Sequence, residues 1–373
     1  MYCRKLTLAL GQTFNQFVIL IVLSCLLASI APTQSRADNN FNGQQLKFLT
    51  WSDYIDPEVV SEFEKRFNAK IKFSFFESDQ SRTEMLATTN GQGYDLILVS
   101  GVNLRQYKNH GWLAQLNAFD IQNRKHIDPR WEAEFKGDVG YGVPYFWGTM
   151  GIAYRRDLVP FPITSWRQLL NLSPELSGKV IMNKDARELI SIALLALGYS
   201  SNSSDSGQLR QARELLVTQV PNVKKYSSVS LTEKSALVTG DAWASMIYNG
   251  DVLMLQEHND QIVYVQPAEG SLLWVDYLSI AASSKQKEMA AAFINYLNEP
   301  KVAARLANYV YYATPNVAAK SLLSKDYFSN SVIFPTQEQL NRMAFSTELK
   351  PRARKFINSL MVNLLNTHQA QRN

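Results

Sequence analysis

The sequence predicts an α/β chain of two domains, each built on a mainly parallel sheet flanked by helices. Three observations carry this expectation. The first half alternates strand-like and helix-like stretches in the order β-α-β-α-β, which implies parallel strands joined by right-handed crossovers. Asp95-Leu96-Ile97-Leu98-Val99 is a continuous apolar run, as in a strand covered on both faces. The chain of 373 residues is long enough for two domains of ordinary size.

The first 37 residues stand apart from that pattern. Arg4 and Lys5 precede an apolar run through Phe17-Val18-Ile19-Leu20 to Ala31, Pro32 stops it, and Ser35-Arg36-Ala37 offers a small-x-small cleavage site. This is the build of a cleaved secretory signal peptide, too short to read first as a membrane span. Both cysteines, Cys3 and Cys25, fall inside it, so the remaining chain is expected to hold itself together without a disulfide. Arg4, Lys5 and Arg36 supply three of the five units of formal charge, leaving +2 on the rest. No basic tract argues for nucleic acid.

Beyond the leader, Leu46 to Trp51 reads as a strand. Asp56 then serves as N-cap and Pro57 as first helical residue, with Val59, Val60, Phe63 and Phe67 on one face. Ile71, Phe73 and Phe75 alternate as in a strand, and a helix is expected around Arg82 to Thr89. Ligands of such sheets bind beyond the carboxyl ends of strands. That rule selects Trp51-Ser52-Asp53-Tyr54 and Ser100-Gly101, although Trp51 and Tyr54 could equally pack internally and Asp53 could be a plain turn residue.

Gly142 to Gly148 reads as a break, after which Thr149 to Tyr154 resumes as a strand in a second lobe. Asp185-Ala186-Arg187-Glu188 opens an apolar helix, with two acids three apart at its positive end. The plain alternative is a cap followed by a box-like Glu. Gly240 to Gly250 reads as a strand ending at Tyr248 before an Asn249-Gly250 turn. Ser271 to Ile280 is apolar enough for a buried strand returning between the lobes. Alternation puts Trp274 and Asp276 on one face, an aromatic plate beside a carboxylate, which is a seat for an organic cation. A strand ending at Val275, with Asp276 in a turn or an internal ion pair, is the plain alternative. Helices are expected over Lys285 to Leu297, from Pro300, and over Arg352 to Leu365.

Together the segments Leu49-Thr50-Trp51-Ser52-Asp53-Tyr54-Ile55, Tyr94-Asp95-Leu96-Ile97, Val143-Pro144-Tyr145-Phe146-Trp147-Gly148, Asp185-Ala186-Arg187-Glu188, Leu197-Gly198-Tyr199-Ser200, Trp274-Val275-Asp276 and Thr314-Pro315-Asn316 resemble, in order and spacing, the periplasmic spermidine/putrescine-binding proteins. The resemblance covers nearly all of the chain from Leu46 to about Leu365. It implies a two-lobed periplasmic-binding-protein fold of type II with a hinge of crossing strands. The lobes would comprise 45–147 plus 277–325, and 148–276 plus 326–370. It also implies ligand-binding roles for Trp51, Ser52, Asp53, Tyr54, Ser100, Asp185, Glu188, Tyr248, Trp274, Asp276 and Tyr312. Three positions depart from the family pattern: Val102 and Ser346 stand where an aromatic and a glutamine occur, and Tyr248 replaces a tryptophan. These leave the choice of polyamine open.

The function so implied is periplasmic capture of putrescine or spermidine by a monomeric receptor, and delivery to the membrane permease of an ABC importer. Neither cofactor, metal nor nucleic acid is expected. Binding would weaken towards the ordinary carboxylate range, about pH 4 to 5. One alternative is a receptor or sensor of the same fold for another amine or small solute. A remoter one is a secreted hydrolase using Asp185 and Glu188 as acid and base. Against an enzyme, no nucleophile–base arrangement, P-loop or dinucleotide fingerprint is visible, and His110, His126, His258 and His368 are scattered.

Overall fold

The computed structural model describes residues 40–370 except 134 and 136. The expected leader, with Cys3 and Cys25, lies outside them.

Strand β1 (Gln45–Thr50) leads through a turn into helix α1 (Pro57–Phe67). Asp56 caps α1 by accepting from the Glu58 N–H at 2.8 Å, Pro57 opens it, and the four residues expected on its inner face are all buried. Strand β2 (Lys70–Phe75) pairs parallel with β1. Helix α2 (Asp79–Thr88) follows, starting three residues before its expected position. Strand β3 (Leu96–Ser100) pairs parallel with β1 on its other side and runs into α3 (Gly101–Asn109).

Strand β4 spans Val143–Arg155 without interruption, so the expected break at 142–148 is not one. The register shifts between Pro144 and Phe146, which absorbs a proline that lacks the ladder N–H. Next come β5 (Val180–Met182), α4 (Ala186–Ala196), α5 (Ser206–Gln219), β6 (Val223–Tyr226) and β7 (Ala244–Tyr248). Asn249-Gly250, expected to turn, instead opens α6 (Asn249–Gln256). The Asn249 side chain accepts from the Thr149 N–H and donates to the Val332 carbonyl, both at 2.9 Å, so tertiary bonds override local turn chemistry. The remaining elements are β8 (Ile262–Val265), β9 (Ser271–Ile280), α7 (Lys287–Leu297), α8 (Pro300–Val310), β10 (Met343–Phe345) and α9 (Pro351–Ala370).

The strands follow the order β2-β1-β3-β9-β4-β7-β5-β6, with β10 beside β9 and β8 beside β4. Pairing is parallel within β2-β1-β3 and within β7-β5-β6, and antiparallel where β4 and β9 meet each other and where they meet β3, β7 and β8. Among the described residues two large hydrophobic cores flank these strands, with a smaller one around Ala153, Ile181 and Ile247. Phe48, Phe63, Phe293 and Leu306 belong to the first, and Trp166, Leu189, Leu216 and Leu360 to the second. Strand β4 buries Phe146 and Trp147 in the first core, then Met150 and Ile152 in the second. Strand β9 buries Leu272 in the second, then Val275, Tyr277 and Leu278 in the first. Two antiparallel strands thus cross between cores, the construction of a hinge. Tyr327 and Ile333 also bury in the first core.

Candidate functional site

The crossing strands carry a run of aromatic rings. Trp274 sits opposite Gly148 on β4. A Cβ on Gly148 would lie 2.5 Å from the Trp274 Cζ2 and from Asn249 Oδ1, so only glycine lets the indole lie across the strand. Gly250 similarly seats Tyr312, whose ring a Cβ would approach to 2.6 Å. From this seating the rings meet edge to face in sequence: Tyr54 to Tyr312 at 5.7 Å, Tyr312 to Trp274 at 4.9 Å, and Trp274 to Tyr248 at 6.0 Å between centroids. Such geometry is favourable for quadrupolar rings and makes a continuous wall from one core to the other. The Tyr312 hydroxyl is anchored on Asp251 at 2.5 Å.

A carboxylate stands at each end of the wall. Asp276 lies within β9, paired in register with Ser100 of β3 and Phe146 of β4, and is 5% exposed. The reading in which the strand ends at Val275 is thereby excluded. Among the described residues no cation forms an ion pair with Asp276. Burial, and then the charge of Asp79, pushes its pKa up to about 7, while Arg82, Tyr54 and Trp51 favour the charged form. The buried Tyr54 hydroxyl stands near Asp276 and favours its charged form, short of a well-formed hydrogen bond.

At the other end, Glu188 accepts from the Tyr248 hydroxyl at 2.5 Å and from Asn183 Nδ2 at 2.6 Å. Asp185 is the N-cap of α4, accepting from the N–H groups of Arg187 at 2.8 Å and Glu188 at 3.0 Å. The capping reading of Asp185 therefore holds, while Glu188 turns away from the box and towards Tyr248. Burial raises the pKa of both acids; Asp79 adds to the effect on Asp185, and Asp185 and then Asp79 to that on Glu188.

A cavity of about 370 Å³ opens against the Trp274–Tyr248 part of the wall and the acids of α4. It is lined by Ser100, Asp185, Glu188, Tyr248 and Trp274 from the expected set. Val102 and Ser346, the positions that depart from the family pattern, also line it. Tyr54, Asp276 and Tyr312 are buried and do not line it, although Asp276 shares a strand face with Trp274. Trp51 is half-buried, tilted against Phe76 at 4.3 Å. Ser52 and Asp53 form the exposed turn after β1, with Asp53 at φ +55°, so Asp53 adopts its turn role.

The sequence reading missed Asp79 and Arg82. Asp79 opens α2 behind the Ser78 N-cap and lines the cavity. Its Oδ2 accepts from the Ser100 hydroxyl at 2.5 Å and Asn103 Nδ2 at 2.9 Å, and its Oδ1 lies 2.7 Å from Arg82 Nη2. Arg82 is wholly buried, donating to Tyr107 at 3.2 Å and Ser100 at 3.1 Å, with its guanidinium 4.9 Å from the Phe76 ring centroid. The signal that could have found Asp79 is Ser78, a good cap, but its box partner is Ser81 rather than the usual Glu or Gln.

Residues 58–336 match the family described as bacterial extracellular solute-binding protein. The spermidine/putrescine-binding periplasmic protein of Escherichia coli is 31% identical over 314 residues, covering 84% of this chain and 88% of that protein. Spermidine/putrescine-binding periplasmic protein 1 of Haemophilus influenzae is 32% identical over 295 residues, covering 78% and 81%. The solved structure of a putative spermidine/putrescine ABC transporter from Listeria monocytogenes superposes with a TM-score of 0.80 at 32% identity, covering 86% of this chain and 98% of that one. The chain belongs to the bacterial extracellular solute-binding proteins and has their two-lobed α/β fold.

Proposed function

We propose that this member of the family captures a linear polyamine, putrescine or spermidine, and hands it to the permease of an ABC importer. The observation that carries the reading is the aromatic wall Tyr54–Tyr312–Trp274–Tyr248 with Asp276 at one end and Glu188 at the other. A linear diamine or triamine has the complementary pattern: apolar methylenes between terminal ammoniums. Asp276 takes one terminus. Glu188, with Asp185 beside it, takes the other. Trp51, Tyr54, Tyr248, Trp274 and Tyr312 flank the methylenes, each ring contact being worth about 0.5–2 kcal/mol where water is excluded. Ser100 contributes a hydroxyl. Ser52 and Asp53 enter as the turn that presents Trp51 and Tyr54.

The lobes would close about β4 and β9, the first formed by 45–147 and 277 to beyond Ile333, the second by 148–276 and the C-terminal helix. A leader cleaved after residue 37 would deliver the receptor, as a monomer, to the periplasm. Names of the relatives support binding without catalysis, and the paired acids here serve a helix cap and accept from Tyr248. The test is calorimetric titration with putrescine and spermidine, followed by mass spectrometry of the recovered amine. Saturable heat with unchanged amine is expected. No heat with either amine overturns the reading, and a converted amine overturns the non-enzymatic part of it.

A further inference from the structure

Arg82 takes no part in the slot just described, yet it is among the largest wholly buried side chains. It lies on α2, beneath the cavity wall formed by Asp79, Ser100 and Asn103. Ser100 is in register with Asp276, and the same cavity is lined by Trp274 and Glu188, so a chain running from Asp276 to Glu188 passes this wall. The wall's acceptors are already committed. Ser100 donates to Asp79 Oδ2 and accepts from Arg82 Nη2 at 3.1 Å and Asn103 Nδ2 at 2.9 Å, which uses its hydrogen and both lone pairs. It can serve a ligand N–H only by giving up one of these bonds. Asp79 Oδ2 accepts from Ser100 and from Asn103 at 2.9 Å, while the buried Oδ1 lies 2.7 Å from Arg82 Nη2. Farther along the lining, Glu348 pairs with Arg354 at 3.4 Å. A triamine carries an internal ammonium whose N–H groups lose water on entering such a slot, which is costly without acceptors. A diamine presents only methylenes there.

We propose that Arg82 is a specificity-determining residue: it fills, from within the protein, the place at Asp79 and Ser100 that an internal ammonium would take, so the slot favours a diamine over a triamine of the same length. The inference rests on the polyamine reading and narrows it to amines charged at their ends alone. Without Arg82, Asp79 would stand on the cavity wall as a carboxylate in want of a cation. Arginine suits the task because it is always charged, and its planar fork serves Asp79, Ser100 and Tyr107 together. The selection lies in which acceptors the protein has already filled, and it needs no contact between Arg82 and the ligand.

The probes are spermidine and 1,8-diaminooctane, which match in chain length and differ only by an internal amine in place of a methylene. Both are titrated calorimetrically at pH 7 into wild type, Arg82→Gln and the double variant Asp79→Asn/Arg82→Gln. Wild type should bind the diamine at least about twentyfold more tightly than spermidine, of which burial of the extra methylene accounts for only about fourfold. Arg82→Gln keeps an N–H for Ser100 and frees Asp79, so spermidine should gain and the gap should fall below about fourfold. Removing the acid as well should restore a gap of at least about tenfold. General damage would weaken both amines alike and leave their ratio unchanged. If Arg82→Gln does not fold, Arg82→Met, which keeps an apolar stem in the buried site, carries the same test. Wild type that binds spermidine as tightly as the diamine overturns the proposal and leaves the polyamine reading standing, and so does a gap that the folded Arg82 variant leaves unchanged. If putrescine, spermidine and the longer diamine all fail to bind wild type, the polyamine reading falls and this narrowing falls with it.

Discussion

At the Glu188 end of the wall, both carboxylate oxygens are already held by the protein, through Tyr248 and Asn183, and Asp185 is committed to two helix N–H groups. At the Asp276 end the carboxylate is more deeply buried and lacks an ion pair, and the support it draws from Tyr54 and Trp51 does not offset its burial. The difference teaches where the binding free energy should reside. A group whose hydrogen bonds are complete before the ligand arrives gains little from it. A buried group left incomplete gains the whole of what burial withheld. The Asp276 end therefore carries affinity at the expense of stability in the empty protein, and the Glu188 end carries placement.

The largest expected effect breaks this contrast directly. Asp276→Asn keeps the shape and removes the charge. Losing one partner of a desolvated charge pair costs about 2–5 kcal/mol, much of it from the partner left unpaired. That is roughly 30-fold to several thousandfold weaker spermidine binding at pH 7. The melting temperature of the empty protein should hold or rise, because an uncompensated buried acid has gone. Glu188→Gln should cost only about tenfold in affinity, ~1.4 kcal/mol, and should lower the melting temperature, because the amide cannot accept from both Tyr248 and Asn183. Titration calorimetry and thermal melting of both variants decide the matter. Equal losses of affinity would remove the distinction between the ends.

The next effect is on pH dependence, and here the structure moves the expected window. A pKa of about 7 for Asp276 in the empty protein means that the acid is largely protonated below neutrality. Its ordinary unfolded value is about 3.9. Between those values the folded state binds the extra proton, so the empty protein loses stability as pH rises from about 4 to 7. An ammonium reverses the preference. Affinity should rise with pH through the same window, by up to about tenfold per unit for one displaced proton, and level off above pH 7. The fall begins near neutrality rather than at pH 4 to 5. Titrations at pH 5, 6, 7 and 8, repeated in buffers of different ionisation enthalpy, would detect the released proton. In Asp276→Asn the slope should shrink; a slope unchanged in that variant would place the titrating group elsewhere.

These contrasts were only partly legible in the sequence. Asp56-Pro57 with Val59, Val60, Phe63 and Phe67 specified a helix because cap, first residue and apolar face all agree locally, and the structure keeps every one of those roles. Trp274 and Asp276 were legible as a pair because strand alternation fixes their common face. Arg82 was not, because what makes a buried guanidinium tolerable comes from Ser100 and Tyr107, 18 and 25 residues away, and from Asp79. Asn249-Gly250 misled for a related reason: its side-chain partners, Thr149 and Val332, lie 100 and 83 residues away. Gly148 gave no sign of its role until Trp274 was placed over it. Local rules thus recovered the elements and one face of the site, whereas the electrostatic balance inside it depends on contacts that no window of sequence contains.

The smallest expected effect sharpens the comparison from the satisfied end. Tyr248→Phe removes the hydroxyl that donates to Glu188 at 2.5 Å and keeps a ring to meet Trp274, now 6.0 Å away at 80°. The hydroxyl helps hold Glu188 in its charged form against burial, so without it the acid binds a proton more readily. A ligand ammonium can take the vacated lone pair, which offsets part of the loss. Affinity for spermidine at pH 8, where Glu188 is most readily ionised, should fall by no more than about threefold, within the range of one hydrogen bond. At pH 6 the deficit should widen, because the variant must first shed a proton that wild type holds less firmly. Calorimetry at both values gives the ratio of variant to wild-type affinity. A ratio that is the same at pH 6 and pH 8, and larger than tenfold, would mean that the hydroxyl contacts the ligand itself, and the Glu188 end would then have to be counted with Asp276 among the groups that the ligand completes.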